Sequence, residues 1–134
     1  MPAGKNGTGE GSMSTESRTS TELDDLAGRL EAFVRERDWE QFHSPKNLSM
    51  ALAGEVGELI EHFQWLTEER SRELSDAERE AVQAEIADVQ IYLLLLARGL
   101  GIDVVQAANE KLTVNEQKYP VDKARGSARK YTDL

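Results

Sequence analysis

Cysteine is absent from this chain of 134 residues, and histidine occurs only twice. Without cysteine there can be no disulfide framework, thiolate zinc site, iron–sulfur cluster or cysteine nucleophile. Two histidines are also too few for a metal site built from imidazole groups alone. A metal site in this chain therefore has to rely on oxygen ligands.

Basic residues are scarce relative to acidic ones. The chain has 16 lysines and arginines against 25 aspartates and glutamates, which gives a net charge of −9. Residues 22–118 carry 21 acids and 10 bases, so this middle part alone has a net charge of −11. Proteins that bind the nucleic-acid backbone present a basic face, and this composition therefore argues against a nucleic-acid partner. Phosphate chemistry stays open, because carboxylates can reach phosphates through a bound cation.

Long apolar runs are also missing. The longest, residues 91–97, is far too short to cross a bilayer, so we expect no membrane partner. Residues 1–20 are rich in Gly, Ser and Thr and have no apolar segment, which predicts a disordered leader. The remaining length suits one domain, predicted at 21–120, followed by a basic C-terminal tail at 121–134. A cytoplasmic location is the expectation.

From residue 21 onward, apolar residues recur every three or four positions, and no segment alternates with period two. This periodicity predicts helices. Four residues suited to helix N-caps precede the periodic segments: Thr21, Ser44, Ser75 and Asp103. The second helix is predicted to run to about residue 66, the third to residue 99 or 101, and the fourth to residue 119. The predicted fold is all-α, a four-helix bundle.

The third predicted helix is apolar on nearly all sides from residue 86 onward. Such a helix is central in its own bundle or covered by a partner subunit. In a chain of this size we favour both, which predicts a homo-oligomer, either a homodimer or a homotetramer.

Two pairs of acids are spaced three residues apart on the second and third predicted helices. Glu55 and Glu58 form one pair, Glu85 and Asp88 the other, and this spacing puts each pair on one helix face. Such pairs are common on solvated faces, which is the alternative interpretation. These pairs, however, border apolar stripes, and no base stands three or four residues from Asp88. Because burying uncompensated carboxylates is costly, a divalent metal is the better explanation, and oxygen ligands favour Mg²⁺ or Mn²⁺.

Aromatic and cationic side chains could complete a nucleotide site. The two tryptophans, Trp39 and Trp65, flank the helix with Glu55 and Glu58 and could stack on a nucleobase. They could equally be interface or edge-of-core residues. On the fourth helix, a stripe at helical spacing is suited to phosphate oxygens or to a solvated face, and it comprises Lys111, Asn115, Lys118 and Tyr119. The basic tail could close over phosphates or be a disordered end.

Three blocks of sequence, in order, resemble the MazG-like all-α nucleoside triphosphate pyrophosphohydrolases. They are DWEQFHSPKNLSMALAGEVGELIEHFQW, EIADVQIYLLLLA and KLTVNEQKYP. Within that family the resemblance is greatest to members that hydrolyse dCTP, and it spans residues 22–131. It implies hydrolysis of a nucleoside triphosphate to the monophosphate and pyrophosphate, as nucleotide-pool housecleaning.

The resemblance also implies roles for individual residues. Four acids would hold Mg²⁺, and Glu55 or Glu58 would also act as general base. Leu30 stands where dCTP-specific members tend to have a histidine, which would relax the choice of base. The residues implied for metal binding are Glu55, Glu58, Glu85 and Asp88; those implied for substrate binding are Trp39, His43, Trp65, Tyr92, Lys111, Asn115 and Tyr119.

Two other functions fit parts of the sequence. A helical oligomer that serves as an interaction module would account for the charge and the apolar third helix. It would not account for carboxylates beside that apolar stretch. A nucleotide-binding regulator without catalysis would keep the same pocket.

Overall fold

The structure is a computed structural model, and it describes residues 21–134. The leader predicted at residues 1–20 lies outside the described residues. The described part contains helices and no strand, so the all-α prediction is confirmed. The helices are α1 (Glu22–Glu36), α2 (Pro45–Glu61), α3 (Glu68–Ser71), α4 (Asp76–Gly99), α5 (Val104–Lys118) and α6 (Val121–Ala124), with 3₁₀ turns at Glu40–Phe42 and Tyr131–Asp133.

All four long helices begin at the predicted caps. The side chains of Thr21 and Ser75 each take part in a capping box. The Ser44 hydroxyl accepts a hydrogen bond from a first-turn backbone N–H, and the Asp103 carboxylate accepts two. These contacts satisfy backbone donors that have no partner inside a helix, and each cap contributes about 0.5–2 kcal/mol. Local sequence therefore determines where each long helix starts.

The end of α2 differs from the prediction. The helix stops at Glu61, five residues before the expected end. Beyond it the chain tightens into turns, in which the N–H of Phe63 donates to the carbonyl of Ile60 at 2.9 Å. Thr67 then caps the short helix α3, accepting from the N–H of Arg70. The turns keep Phe63 half-buried, as a continued helix would. The apolar spacing of the sequence therefore does not reveal where α2 ends.

The core lies mainly between α2 and α4, with α1 packed against α4. Its buried members come from these three helices and are Ala27, Val34, Leu48, Val82, Leu94 and Ala97. Helix α5 contributes no buried residue and leaves α4 at an angle of 95°. Gly101 permits that sharp turn, because its φ of +68° is one that glycine adopts without strain. The α2–α4 pair is thus the scaffold of the described chain.

Large apolar side chains remain exposed on both helices of this scaffold. On α4, Ile86 and Leu93 lie seven residues apart and are 53% and 42% exposed. On α2, Val56 and Ile60 are 38% and 53% exposed. Helix α4 is therefore covered on one side and open on another within a single chain.

None of the described helices alone is long and apolar enough to cross a bilayer. Helices α4 and α5 reach that length and composition only when taken together, across their 95° bend.

Candidate metal and nucleotide site

Three of the predicted acids meet where α2 faces α4. Glu55 and Glu58 lie one turn apart on α2, and Glu85 lies on α4. Each offers a carboxylate oxygen, and these three oxygens lie within 4.8 Å of one another. The packing of α2 on α4 therefore creates the cluster, because neither helix alone could bring the three oxygens together.

The negative charges of the acids in this cluster repel one another. Burial raises the pKa of Glu55 from its ordinary value of 4.5 to about 7. This rise has burial as its largest cause and also includes the effects of a hydrogen bond with Glu58 and of the negative charges of Glu58, Asp88 and Glu85. A carboxyl group with this pKa exchanges its proton near neutral pH, and a nearby cation would favour its ionised form.

The cluster has acceptor atoms without partners. The Oε2 atoms of Glu55 and Glu85 are buried and accept no hydrogen bond. Within residues 21–134, no lysine or arginine forms an ion pair with any of the four predicted acids. Buried acceptors of this kind are costly, and a divalent cation with oxygen ligands would compensate them. The donor set therefore fits a hard divalent metal.

Asp88 lies at the edge of this cluster. It follows Glu85 by one turn on α4, and its charge contributes to the raised pKa of Glu55. It is not among the three residues whose oxygens converge. Its side chain instead lines the neighbouring cavity. Asp88 therefore connects the acidic cluster to the cavity.

The cavity has a volume of about 460 Å³ and lies between α1, the 3₁₀ turn and α4. Three predicted substrate residues line it: Trp39, His43 and Tyr92. Trp39 is 43% exposed, and its ring meets the Phe33 ring edge-to-face with centroids 5.7 Å apart. A cavity of this size with aromatic walls and few polar groups can hold a heterocyclic base.

Five residues of α1 also line this cavity, and two of them bear on the choice of base. Leu30, the residue noted for its departure from the dCTP-specific pattern, is one of them. The other is Arg29, which the sequence reasoning missed. The only signal for Arg29 in the sequence is its position next to Leu30, a residue of the first apolar stripe.

Four predicted substrate residues lie away from the cavity in the single chain. Trp65 sits in the turn beyond α2 and is 87% exposed, because α2 ends before it. The other three, on or next to α5, do not line the cavity either, since α5 bends away from α4. They are Lys111, Asn115 and Tyr119.

The C-terminal tail folds back on the end of α5. The rings of Tyr119 and Tyr131 meet edge-to-face with centroids 5.9 Å apart. The ammonium group of Lys118 lies 4.8 Å from the centre of the Tyr131 ring. The tail, for which closing over phosphates and a disordered end were both left open, contacts the C-terminal end of the α5 stripe through Tyr131.

Comparison with known proteins identifies the class that this fold and site define. A sequence profile of the MazG-like family matches residues 51–134, which include all four acids. The chain belongs to the MazG-like family.

Two curated relatives and one solved structure show which proteins this chain resembles within the family. The chain is 51% identical to dCTP pyrophosphatase 1 of Mus musculus and 48% identical to that of Homo sapiens, each over 114 residues. Both alignments cover 84% of this chain and 67% of the relative. The crystal structure of a pyrophosphatase from Archaeoglobus fulgidus matches with a TM-score of 0.71 and 38% identity, covering 75% of this chain and 94% of that one.

Proposed function

We propose that this protein is a divalent-metal-dependent nucleoside triphosphate pyrophosphohydrolase. Its substrate is dCTP or a related, including modified, deoxynucleoside triphosphate, and its products are the monophosphate and pyrophosphate. Its role is housecleaning of the cytoplasmic nucleotide pool. The observation that carries the proposal is the cluster of three converging carboxylates, two of them with a buried oxygen that accepts no hydrogen bond, beside an aromatic cavity that Asp88 also lines. The names of the relatives support the substrate class.

Glu55, Glu58 and Glu85 would hold the cation, and Asp88 would complete the ligand set. Mg²⁺ is the preferred ion and Mn²⁺ a substitute, since both favour carboxylate oxygens. When bound, such an ion supplies positive charge against the triphosphate and lowers the pKa of a nearby water. The α2–α4 scaffold would hold these oxygens in place before the substrate binds.

Glu55 is the best candidate for the general base. Without metal, burial and acidic neighbours raise the pKa of Glu55 to about 7. A bound cation would favour its ionised form, and an ionised carboxylate can accept the proton of a water in the cluster. Glu55 takes a proton from water as the water oxygen bonds to the α-phosphorus. The bond between the α-phosphorus and the bridging oxygen breaks, and pyrophosphate leaves with the electron pair.

The aromatic cavity holds the base of the nucleotide. Trp39 and Tyr92 supply ring surface for stacking, with His43 beside them, and such stacking contributes about 1–3 kcal/mol per base. Selectivity for one base depends on specific hydrogen bonds. Leu30 offers none, so we expect this cavity to accept more than one pyrimidine.

A second copy of the chain completes the site. Several large apolar side chains on α2 and α4 are exposed, and a homodimer or homotetramer would cover them. In such an assembly, α5 of one copy would approach the cavity of another. Its stripe of Lys111, Asn115 and Tyr119 would then meet the phosphates, and exposed Trp65 would gain a partner.

A substrate panel tests this proposal. Rates of pyrophosphate release are measured with Mg²⁺ for the four dNTPs, the four NTPs and 5-substituted dCTPs. We expect turnover to be highest for dCTP and its derivatives, with measurable activity on other pyrimidine dNTPs. Stabilisation by nucleotide without any pyrophosphate release would instead indicate a binding protein, and stabilisation by no nucleotide would indicate an interaction module.

A further inference from the structure

His62 is a titratable residue that the proposed reaction does not use. It forms the C-terminal cap of α2, four residues after Glu58. Its Nε2 atom lies 3.9 Å from Oε1 of Glu85, across the α2–α4 interface. The side chains are partly enclosed, with 34% of His62 and 20% of Glu85 exposed. The imidazole therefore lies at the border of the acidic cluster.

The two oxygens of Glu85 face different surroundings. Oε2 is buried and accepts no hydrogen bond, whereas Oε1 is the atom nearest to His62. Direct N–H···O bonds span about 2.7–3.2 Å, so the imidazole would have to approach by about 1 Å to donate to Oε1. Such an approach to Oε1 would leave Oε2 free for a cation.

Glu85 has no other side-chain donor on its own helix. The residues three and four positions away on α4 are Ala81, Val82, Asp88 and Val89, and none of them can donate a hydrogen bond to a carboxylate at neutral pH. No lysine or arginine in the described part of the chain pairs with Glu85 either. Among these groups, His62 is the one that faces Glu85 with a hydrogen-bond donor.

We propose that His62 is a positioning residue for the metal site, donating its Nε2–H to Oε1 of Glu85 and so directing Oε2 into the acidic cluster. This inference rests on the metal site of the proposed function. Groups that hold a metal ligand in place through a hydrogen bond are worth about 10–100-fold in metal affinity. His62 does not line the aromatic cavity, so its effect should fall on the affinity for the ion.

Calorimetric titration of the nucleotide-free, full-length protein with Mn²⁺ tests the role. His62→Leu should weaken Mn²⁺ binding by about 10–100-fold. His62→Gln places an amide donor near the position of Nε2, and it should restore affinity to within about threefold of the wild type. Gln64→Leu, which removes an exposed amide two residues further on, is the matched control and should bind Mn²⁺ like the wild type.

The outcomes separate this inference from the metal site itself. If Glu85→Gln binds Mn²⁺ like the wild type, or if the wild type binds none, the proposed metal site fails and the role of His62 fails with it. If the wild type binds and Glu85→Gln does not, equal affinity in His62→Leu and the wild type overturns only the role of His62. Equal weakening in His62→Leu and His62→Gln also overturns it, because the donor would then be irrelevant.

A fallback comparison covers a folding defect in His62→Leu, which circular dichroism would reveal. His62→Asn has an amide too short to reach Oε1, so it should bind Mn²⁺ at least tenfold more weakly than His62→Gln. Equal affinity of these two variants would overturn the proposal.

Discussion

Replacing Glu55 with glutamine should stabilise the metal-free protein and at the same time remove its response to metal. Glu55 is forced to ionise beside three other acids, and burial together with those acids raises its pKa from 4.5 to about 7. Glutamine has nearly the same shape and carries no charge. The substitution therefore removes an unfavourable charge from the folded state and a ligand from the metal site.

The size of this effect follows from the pKa. A rise from 4.5 to about 7 corresponds to at most about 3 kcal/mol of native-state destabilisation once Glu55 is ionised. Water reaches the cluster on the exposed side of Glu58 and screens part of this, so we expect about 1–2 kcal/mol at pH 8. For a domain of this size that is about 4–8 °C in melting temperature.

Thermal unfolding measures both parts of the prediction. In EDTA at pH 8, Glu55→Gln should melt above the wild type, and the difference should shrink near pH 5, where Glu55 is protonated. With Mn²⁺ the wild type should gain stability and the variant should not. The control is Glu80→Gln, an exposed acid on α4, which should follow the wild type in both conditions. A Glu55→Gln protein that melts at or below the wild type in EDTA would refute the electrostatic reasoning.

Three further predictions follow from the same structure. Asp88→Asn should abolish turnover, measured as pyrophosphate release, while circular dichroism shows an unchanged helical content. Between pH 4.5 and 7 the native protein holds the Glu55 proton that the unfolded chain has released, so metal-free stability should fall with rising pH and the metal-induced rise in melting temperature should grow. Leu48→Ala, at a core position only 3% exposed, should cost about 2–5 kcal/mol in urea unfolding, whereas Ser49→Ala beside it should cost less than about 1 kcal/mol.

Local signals in the sequence were enough to predict the helix starts. The caps at Thr21, Ser44, Ser75 and Asp103 act within three residues, so their chemistry is readable without the fold. The end of α2 was not readable in the same way. Apolar spacing near Phe63 fits a helix and a tight turn equally well. A new helix, capped by Thr67, starts soon after the turn.

The acidic cluster was predictable because its residues repeat with the helical period on two helices. The different positions of Glu85 and Asp88 were not predictable. Glu85 joins Glu55 and Glu58, whereas Asp88 lies at the edge, and this depends on how α2 and α4 pack. The proximity of His62 to Glu85 also comes from that packing. Contacts between residues far apart in the sequence leave no local pattern from which they could be predicted.

The direction of α5 is the part of the site that sequence reasoning could not supply. Helical spacing grouped Lys111, Asn115 and Tyr119 on one face, but it carried no information about the 95° bend at Gly101. Tyr119 forms the C-cap just beyond α5, and the distance of α5 from the cavity in one chain is set by the turn.

The most direct test of the proposed reaction is product analysis in ¹⁸O-labelled water with dCTP and Mg²⁺. We predict equal amounts of dCMP and pyrophosphate, with the label in dCMP because water attacks the α-phosphorus, and no products from Asp88→Asn. Release of dCDP and inorganic phosphate, or label in the pyrophosphate, would contradict the account.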